Sequence, residues 1–228
     1  MSELISVLLS VHNDEINIRK AIESILTQEY ENIELLLLDD ASTDNTYNVC
    51  EEYSYIDNRI KLFKNSENQG LTKSLNKLIK KSNGVFIARQ DSDDISYKNR
   101  LMDQYNFLIN SDFDICTSLA KIKDRSKVIP GFSKHLNPNI TVKYKNPFIH
   151  GTLMIKSETL IKIGMYNENF YYAQDYKLFK DLIENKHKIK IIKKVLYEIN
   201  MTDNISMKNK NEQAYFADCV RRNIIPIN

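Results

Sequence analysis

The stretch "RQDSDD" at residues 89–94 contains the residues best suited to chemistry. Asp91, Asp93 and Asp94 place three carboxylates within four positions, directly after the apolar run at 85–88. Carboxylates this close repel one another unless a cation lies among them or water screens them. Four interpretations are open: a solvated turn, a calcium loop, a phosphotransfer nucleophile, or a divalent-metal site that carries a phosphorylated substrate.

A calcium loop of the EF-hand type is excluded by the residues that follow Asp91. Ile95 stands where such a loop needs an oxygen ligand, and Ser96 stands where it needs glycine for a sharp turn. Met102 occupies the position of the bidentate glutamate that closes the loop. The acidic stretch is therefore not a calcium loop of this kind.

A phosphotransfer nucleophile at Asp91 is a stronger alternative. A strand followed by Asp-x-Asp-x and an apolar residue is the pattern of haloacid-dehalogenase-like phosphatases, whose first aspartate is the nucleophile. That family places the motif on its first strand, whereas two full βα units precede it here. We also expect the polar pair Arg89-Gln90 to break the apolar strand before the motif.

The elements that must position these acids alternate between buried strands and amphipathic helices. Ile18, Ile22 and Ile25 belong to an apolar stripe with helical spacing, and Asn13 and Asp14 are its predicted caps. The alternation predicts an α/β fold with a Rossmann-like, mostly parallel central sheet flanked by helices. The predicted strands of the first half are residues 4–11, 33–38, 60–63 and 85–88.

Polar clusters follow three of these strands, at 12–15, at Asp39-Asp40 and at 91–94. Ligands of open parallel α/β sheets bind beyond the carboxyl ends of the strands, where these clusters must converge. Acids at one strand end often only cap a helix. Acids at several ends favour a binding site, in which Asp91 and Asp93 can hold Mg²⁺ or Mn²⁺ and leave positions for a diphosphate.

The second half is less regular, and nothing in it marks a linker between domains. Residues 98–110, 174–185 and 209–223 are predicted helices, and the proline-containing stretch 121–147 is predicted to form loops. We predict one domain over residues 1–228. It comprises a nucleotide-sugar-type half at 1–95, a second half at 96–206 and a helical tail at 207–228. Further strands are predicted at 113–119, 151–156 and 188–199.

The composition excludes several classes of protein. A net charge of +2 over 228 residues gives no sign of nucleic-acid binding. Three distant cysteines argue against a zinc or redox motif and favour a reducing, cytoplasmic setting. No signal peptide is expected at the N-terminus, and no apolar run reaches the roughly 20 residues of a membrane span. His135 and His187 are expected to be solvated.

The ordered motifs resemble the family 2 glycosyltransferases with the GT-A fold, over about residues 3–206. The segment "SVLLSVHNDEINIRKAIESILTQEYENIELLLLDDASTDNT" is similar to the family's opening strand, helix ending in Gln, and DDGSTD motif. Three later segments are similar, in order, to its Asn-Gly turn, its DXD region and its ED-x-x-L/W motif. They are "NQGLTKSLNKLI", "GVFIARQDSDDISYKNRL" and "FYYAQDYKLF".

The resemblance implies a role for each matched residue. Asp175 would be the general base, although an acid at a helix start can also serve only the helix dipole. Asp91 and Asp93 would bind Mn²⁺ or Mg²⁺, with support from Asp94 and Arg100. His150 would be a weaker contact to the metal or diphosphate. Donor-binding residues would be Val11, His12 (through its backbone more than its ring), Asn13, Glu15, Asp39, Asp40, Asn68, Gly70, Asn76, Arg89, Asp91 and Ser92.

Three departures from the family pattern stand out. Ala41 replaces the Gly of DDGS, so we expect a turn that needs no positive φ. "QD" at 174–175 replaces ED, which leaves one carboxylate. Residues 197–200 lack the basic pair of the family's Y-R-x-H motif. Candidate substitutes for that pair are Lys193, Lys194 and Arg221-Arg222.

The resemblance implies an inverting, metal-dependent transferase that moves a sugar from a UDP-sugar to a hydroxyl of a glycan or lipid-linked acceptor. Acceptor contacts are expected in 121–147 and 166–175. Bacterial members build capsule, lipopolysaccharide or other surface glycans, which implies a cytoplasmic protein with peripheral contact to the inner membrane face. A haloacid-dehalogenase-like phosphatase and a catalytically degenerate UDP-sugar-binding module remain the alternatives.

Overall fold

The computed structural model describes residues 2–201 and 209–227. The strands are β1 (Ile5–Val11), β2 (Ile33–Asp39), β3 (Ile60–Lys64), β4 (Phe86–Gln90), β5 (Ile95–Ser96), β6 (Ile115–Ile122), β7 (Val128–Ile129), β8 (Met154–Lys156) and β9 (Ile189–Ile199). The helices are α1 (Ile18–Leu26), α2 (Thr46–Ile56), α3 (Leu71–Ile79), α4 (Arg100–Ile109), α5 (Pro138–Thr141), α6 (Ser157–Lys162), α7 (Gln174–Glu184) and α8 (Lys210–Arg222).

One mixed sheet joins these strands in the order β3-β2-β1-β4-β8-β6-β9-β5, with β7 beside β6. Strands β3, β2, β1 and β4 are parallel to one another, whereas β8 runs antiparallel to β4 and to β6. The predicted α/β fold with a mostly parallel, helix-flanked sheet is confirmed. The carboxyl ends of β1, β2 and β4 meet at one edge, and β8 brings the 3₁₀ turn at His150–Thr152 to that same edge.

The continuous apolar runs of β1 and β2 are explained by burial on both faces of the sheet. Successive side chains of a strand point to opposite faces. Val7 and Leu9 therefore pack on one side with α1, whereas Leu8 packs on the other side with Leu75 and its neighbours in α3. A parallel sheet covered on both faces reads as an unbroken apolar run, as these strands do.

The end of β4 differs from the sequence-based expectation, because Arg89 and Gln90 lie within the strand and are buried. Gln90 Nε2 donates to the carbonyls of Asp91 and Asp94 at 2.9 Å, and its Oε1 accepts from the Ser96 hydroxyl at 2.6 Å. Arg89 Nη1 donates to the Leu8 carbonyl at 3.2 Å. The expected strand break is wrong, since these partners satisfy most of the polar groups inside the fold.

Two further expectations about the loops at this edge are wrong. Helix α1 begins at Ile18, so Asn13 and Asp14 do not cap it; Asn13 Oδ1 instead accepts from Thr43 N at 2.8 Å. Ala41 has a φ of 58° although it carries a Cβ. Such a conformation costs about 1–3 kcal/mol and persists where surrounding contacts fix the loop. Here the Ser42 amide is held by Asp39 Oδ2 at 3.2 Å.

The second half forms the predicted helices and strands, with short additional elements. The stretch 121–147, expected to be loops, includes β7, a 3₁₀ turn at Phe132–His135 and α5. Helix α8 packs on α7 through Phe216 and Val220, and Lys180 Nζ donates to the Val220 carbonyl at 2.6 Å. Within residues 2–201 and 209–227, none of the helices has the length and apolar character needed to cross a bilayer.

The connection between α3 and β4 passes so close to β1 that residue 84 must be glycine. A Cβ on Gly84 would lie 2.5 Å from Ser6 N and 2.8 Å from the Leu4 carbonyl oxygen, both backbone atoms. We expect Gly84→Ala to lower the free energy of unfolding by about 1–3 kcal/mol, because the strand must shift. Urea denaturation followed by circular dichroism measures this free energy of unfolding.

Gly131→Ala is the matched control, because nothing lies within 4 Å of the added Cβ at Gly131. We expect a change below about 0.5 kcal/mol there. Equal unfolding free energies for the two variants would contradict the close packing of the connection against β1.

Candidate active site

The acidic stretch forms the turn between β4 and β5 at the carboxyl edge of the sheet. Arg89 Nη2 donates to Asp91 Oδ1 at 2.6 Å, and the guanidinium is only 2% exposed. The Asp91 amide donates to the Tyr197 hydroxyl at 3.1 Å. Asp94 Oδ1 accepts from the Asn200 amide at 2.8 Å. The turn is thus fixed by residues from β4 and from the far end of β9.

The carboxylates of this turn carry more negative charge than Arg89 neutralises. Burial, together with the charges of Asp91 and Asp14, raises the pKa of Asp93 to about 6 against the pull of Arg89. Burial, with Asp91 and Asp93 beside it, also holds the pKa of Asp94 well above its usual range. A cation entering this turn would relieve the repulsion.

A divalent metal fits this turn only if it shares its coordination with a ligand. In the part of the chain that the structure describes, no group of three or more His, Cys, Asp or Glu side chains is arranged to hold a metal ion. Mg²⁺ and Mn²⁺ accept one or two carboxylates together with substrate phosphate oxygens and water. Asp91 and Asp93 therefore suit an ion that arrives with a diphosphate.

Asp14 belongs to this cluster, although its predicted role was to cap a helix. Its Oδ2 accepts from the Ser92 hydroxyl at 2.7 Å. Its charge contributes to the raised pKa of Asp93. The signal in the sequence was its place in the polar cluster at 12–15 that follows β1, at the same edge as the other acids.

Arg100 supports the turn without touching a carboxylate. It is fully buried and donates to the Arg89 carbonyl at 2.7 Å and to the Ser96 hydroxyl at 2.6 Å. Its guanidinium lies 5.1 Å from the centroid of the Tyr197 ring. Burial lowers the pKa of Arg100 to about 10, so it remains a cation at neutral pH.

Gly151 and Tyr197 shape the floor of the site, and sequence reasoning assigned no role to either. A Cβ on Gly151 would lie 2.5 Å from the Tyr197 hydroxyl and 2.6 Å from Asp91 Oδ2. The backbone of the 3₁₀ turn therefore approaches the acidic turn as closely as only glycine allows. The Tyr197 hydroxyl meets the Asp91 amide from the other side.

Asp175 lines the same cleft as the acidic turn. It lies in the first turn of α7, and Asn146 Nδ2 donates to its Oδ2 at 2.7 Å. Burial raises the pKa of Asp175, with a further contribution from the charge of Asp91. The cleft has a volume of about 520 Å³, and Asp91, Asp93, Asp94 and Asp175 all line it.

His150 lines the cleft as a neutral side chain. Its Nε2 lies 2.7 Å from the Tyr166 hydroxyl. Burial, reinforced by the charge of Arg89, lowers the pKa of His150 to about 3, so the ring stays uncharged at neutral pH. A metal contact from His150 would have to use Nδ1, because Nε2 is occupied by Tyr166.

Asp40 organises the loop before α3. Its Oδ1 accepts from Asn65 Nδ2 at 2.7 Å and from the Gln69 amide at 2.9 Å, and its Oδ2 accepts from the Gly70 amide at 2.8 Å. Asn68 Oδ1 also accepts from the Gly70 amide at 3.0 Å. Gly70 has a φ of 82°, and a Cβ there would lie 2.6 Å from a ring carbon of Tyr171.

The other predicted donor residues tie loops together at this edge. His12 Nδ1 donates to the Asp40 carbonyl at 2.8 Å, so its ring joins the ends of β1 and β2. Val11 accepts at its carbonyl from the Asp40 amide at 2.8 Å. Glu15 Oε2 accepts from the Asn45 amide at 2.9 Å. Asp39 Oδ1 is buried and has no hydrogen-bond partner among the described residues.

Asn76, a predicted donor residue, bonds the segment that follows α6. Its Nδ2 donates to the Tyr166 carbonyl at 2.9 Å, and its Oδ1 accepts from the Tyr166 amide at 3.0 Å. The same Nδ2 contacts Glu168 Oε1 at 2.9 Å. Asn76 therefore holds the segment that leads to Asp175.

The candidate substitutes for the missing basic pair are not at the site. Lys194 bonds Asp103, and Arg221 and Arg222 both pair with Asp218. Neither these residues nor Lys193 line the cleft among the described residues.

The solvated state expected for His187 is wrong, because its half-buried ring lies 3.2 Å from Asp114 Oδ2. His135 is exposed as expected.

Comparison with known proteins connects this geometry to a family. The sequence profile described as "Glycosyl transferase family 2" matches residues 6–192. The chain is 36% identical over 160 residues to the putative glycosyltransferase EpsE of Bacillus subtilis, covering 67% of this chain and 56% of that protein. It is 31% identical over 183 residues to the O-antigen biosynthesis glycosyltransferase WbnJ of Escherichia coli, covering 78% of this chain and 70% of that protein.

Solved structures share the fold. Residues 1–349 of S. aureus TarS in complex with UDP-GlcNAc superpose with a TM-score of 0.76 at 22% identity, covering 90% of this chain and 60% of that chain. The mannosyltransferase PcManGT from Pyrobaculum calidifontis, in complex with GDP-Man and Mn²⁺, superposes with a TM-score of 0.78 at 17% identity. The match covers 97% of this chain and 65% of that chain. The GT-A fold is therefore confirmed.

Replacing Asp40 by asparagine tests its control of the loop before α3. An amide can accept at only one of the two oxygen positions, so the variant loses either the bonds from Asn65 and Gln69 or the bond from Gly70. In the second case the Gly70 amide keeps only its bond to Asn68 Oδ1, and the new NH₂ group faces the Gly70 donor. Leaving a buried donor unpaired costs about 1–3 kcal/mol. We expect faster hydrogen exchange at the Gln69 and Gly70 amides, measured by NMR or mass spectrometry.

Asp124→Asn is the control, because Asp124 is exposed and its φ of 58° suits asparagine. We expect it to leave exchange in the loop unchanged. Unchanged exchange in Asp40→Asn as well would show that Asp40 does not hold the loop.

Proposed function

The chain belongs to glycosyl transferase family 2, and on that basis we propose that it moves a sugar from a UDP-sugar to an acceptor hydroxyl in surface-polysaccharide synthesis. The acceptor is a glycan or a lipid-linked saccharide. One observation carries the proposal: Asp91, Asp93 and Asp175 all line one cleft. The relative WbnJ, an O-antigen biosynthesis glycosyltransferase, supports the role in polysaccharide synthesis. The UDP-GlcNAc complex of TarS supports a nucleotide-sugar donor.

Asp175 acts as the general base in this proposal. It accepts the proton of the acceptor hydroxyl while that oxygen bonds to the anomeric carbon and the bond to the leaving diphosphate breaks. Attack from the face opposite the leaving group inverts the anomeric centre. Burial raises the pKa of Asp175, which makes its carboxylate a stronger base than an exposed aspartate.

Asp91 and Asp93 are the residues that would hold Mn²⁺ or Mg²⁺. The bound metal would supply positive charge that stabilises the departing UDP. The excess negative charge that raises the pKa of Asp93 favours binding of such a cation. Arg89 holds Asp91 Oδ1 at 2.6 Å and so orients one carboxylate before any ligand arrives.

The loops at the ends of β1 and β2 form the nucleotide side of the proposed site. Asp40 organises the loop at Asn68 and Gly70, and Asn13 fastens the loop after β1 to Thr43. A base and ribose placed beyond these strand ends would put the diphosphate near 91–94, as expected for a parallel sheet. The acceptor would enter past Tyr171 and Tyr172, which line the cleft next to Asp175.

The dependence of activity on pH tests the role of Asp175. The base must be deprotonated, so kcat/KM is expected to rise with pH through the raised pKa of this carboxyl. Asn146→Ala removes a hydrogen bond to the charged form, which should move this rise to higher pH. Asp175→Asn should lower kcat by roughly 10²–10⁴-fold. Initial rates of sugar transfer across a pH series measure both.

Asn185→Ala, at the opposite end of α7, is the control and should leave the pH profile unchanged. Full transferase activity in Asp175→Asn would remove Asp175 from the mechanism. An unchanged pH profile of kcat/KM in Asn146→Ala would show that the Asn146 hydrogen bond does not lower the pKa of Asp175.

Titration of UDP in the presence and absence of Mn²⁺ tests the metal site by calorimetry. We expect Mn²⁺ to strengthen UDP binding, and Asp93→Asn to remove at least about tenfold of that gain, equivalent to ~1.4 kcal/mol. Asp124→Asn, on an exposed loop, should behave as the parent protein. Binding of UDP that is indifferent to Mn²⁺ would refute the metal site.

Assays of phosphate release and of UDP-sugar hydrolysis, set beside the UDP titration, separate the rival functions. Release of phosphate from a sugar phosphate without UDP binding would indicate a haloacid-dehalogenase-like phosphatase. UDP binding without hydrolysis of any UDP-sugar in a panel would indicate a binding module without turnover. Slow hydrolysis of one UDP-sugar would support the transferase and identify its donor.

A further inference from the structure

A second concave surface lies away from the cleft, at the C-terminal end of α7. It is a groove of about 800 Å³ between the 135–143 segment, the end of α7 and the start of β9. Helix α7 separates the two sites: Asp175 lies in its first turn and Glu184 at its last position, about 14 Å apart along the axis. We name this surface the basic groove.

The basic groove is rich in unpaired positive charge. Only one acidic residue, Glu184, is among the described residues that line it. Lys188 pairs with Asp112, whereas the other four lysines have no carboxylate partner in the chain described. All five lysines are exposed. They are Lys143, Lys186, Lys188, Lys190 and Lys193.

Large apolar side chains lie exposed beside the basic groove. Phe132 is 77% exposed, Tyr144 71%, Ile140 60% and Leu136 44%. Leu136 lines the groove, and the centroid of the Phe132 ring lies 6.3 Å from that of His135, another lining residue. Ile140 and Tyr144 directly follow the lining residues Asn139 and Lys143 in the chain. We name these four residues the apolar rim. Isolated exposed apolar residues are ordinary, but a cluster of this kind marks an interaction surface.

We propose that the basic groove and the apolar rim together dock the protein on an anionic lipid bilayer. Lysines attract anionic headgroups, and aromatic and aliphatic side chains gain free energy by entering the interface between headgroups and acyl chains. A soluble polyanion would satisfy the lysines but would leave the apolar rim in water. The combination of both features in one surface therefore selects the bilayer over a soluble anion.

The docking surface is separate from the chemistry of the cleft. None of its residues lines the cleft that contains Asp91 and Asp175. Substitutions in the surface should therefore leave donor hydrolysis in solution unchanged. A variant can then lose vesicle binding and keep donor hydrolysis, which would contradict only one of the two proposals. Loss of donor hydrolysis with vesicle binding retained would likewise bear on the transferase alone.

Sedimentation of the full chain with vesicles tests the proposal. We expect binding to vesicles of phosphatidylglycerol in phosphatidylcholine and at least tenfold weaker binding to phosphatidylcholine alone. Each lysine near an anionic surface contributes roughly fivefold to binding. The pair Lys143→Gln and Lys190→Gln should therefore weaken vesicle binding by about 25-fold. The pair Phe132→Ser and Ile140→Ser should weaken it by about tenfold or more.

Matched controls lie on other surfaces. Lys80→Gln with Lys81→Gln removes the same charge from exposed lysines after α3, and neither residue has an ion-pair partner among the described residues. Tyr55→Ser with Ile56→Ser removes side chains that are 82% and 70% exposed at the end of α2. Both control pairs should change vesicle binding less than threefold. Circular dichroism and thermal melts of every variant exclude unfolding as the cause of a loss.

Three results would overturn the proposal. The first is no preference for anionic vesicles. The second is loss of vesicle binding in the lysine pair but not in the apolar pair, together with displacement of the protein from vesicles by dextran sulfate. This result would assign the groove to a soluble polyanion. The third is no vesicle binding together with a dimer in analytical ultracentrifugation that the apolar pair abolishes. That result would assign the rim to contact between copies of the chain.

Discussion

The Arg89–Asp91 ion pair is the interaction on which the site depends. The guanidinium is almost completely buried at the end of β4, and a buried charge is costly unless it is paired and hydrogen-bonded. Arg89 therefore fixes the Asp91 carboxylate, and Arg100 fixes Arg89 by donating to its carbonyl. One arginine nevertheless faces several carboxylates, which leaves the turn with the uncompensated charge that a metal and a diphosphate would use.

The sheet topology brings the rest of the cleft to this turn. Because β8 runs antiparallel to β4, the turn before β8 lies beside the acidic residues, and Gly151 permits the close approach. The segment after α6 then returns across α3, where Asn76 holds Tyr166, before α7 begins at the cleft. The position of Asp175 is thus set by contacts made about 90–100 residues earlier in the chain.

The two surfaces of the molecule differ in how they treat charge. In the cleft, carboxylates are buried close together and their pKa values rise, so the site is prepared for a cation. In the basic groove, lysines are exposed and mostly unpaired, so the surface is prepared for an anionic partner. Helix α7 has one end in each, which links the proposed base to the proposed docking surface through one rigid element.

The sequence by itself determined the α/β alternation, the strand-end acids and the position of Asp175 at a helix start, because these follow from local apolar periodicity and motif order. Only the tertiary structure decided that Arg89 and Gln90 remain in β4, that Ala41 adopts a positive φ, and that Asn13 joins two loops instead of capping a helix. It also decided that Tyr197 supports Asp91 and that Asn146 holds Asp175. The reason is that burial and hydrogen-bond partners come from residues distant in sequence, whose combined free energy overrides local preference.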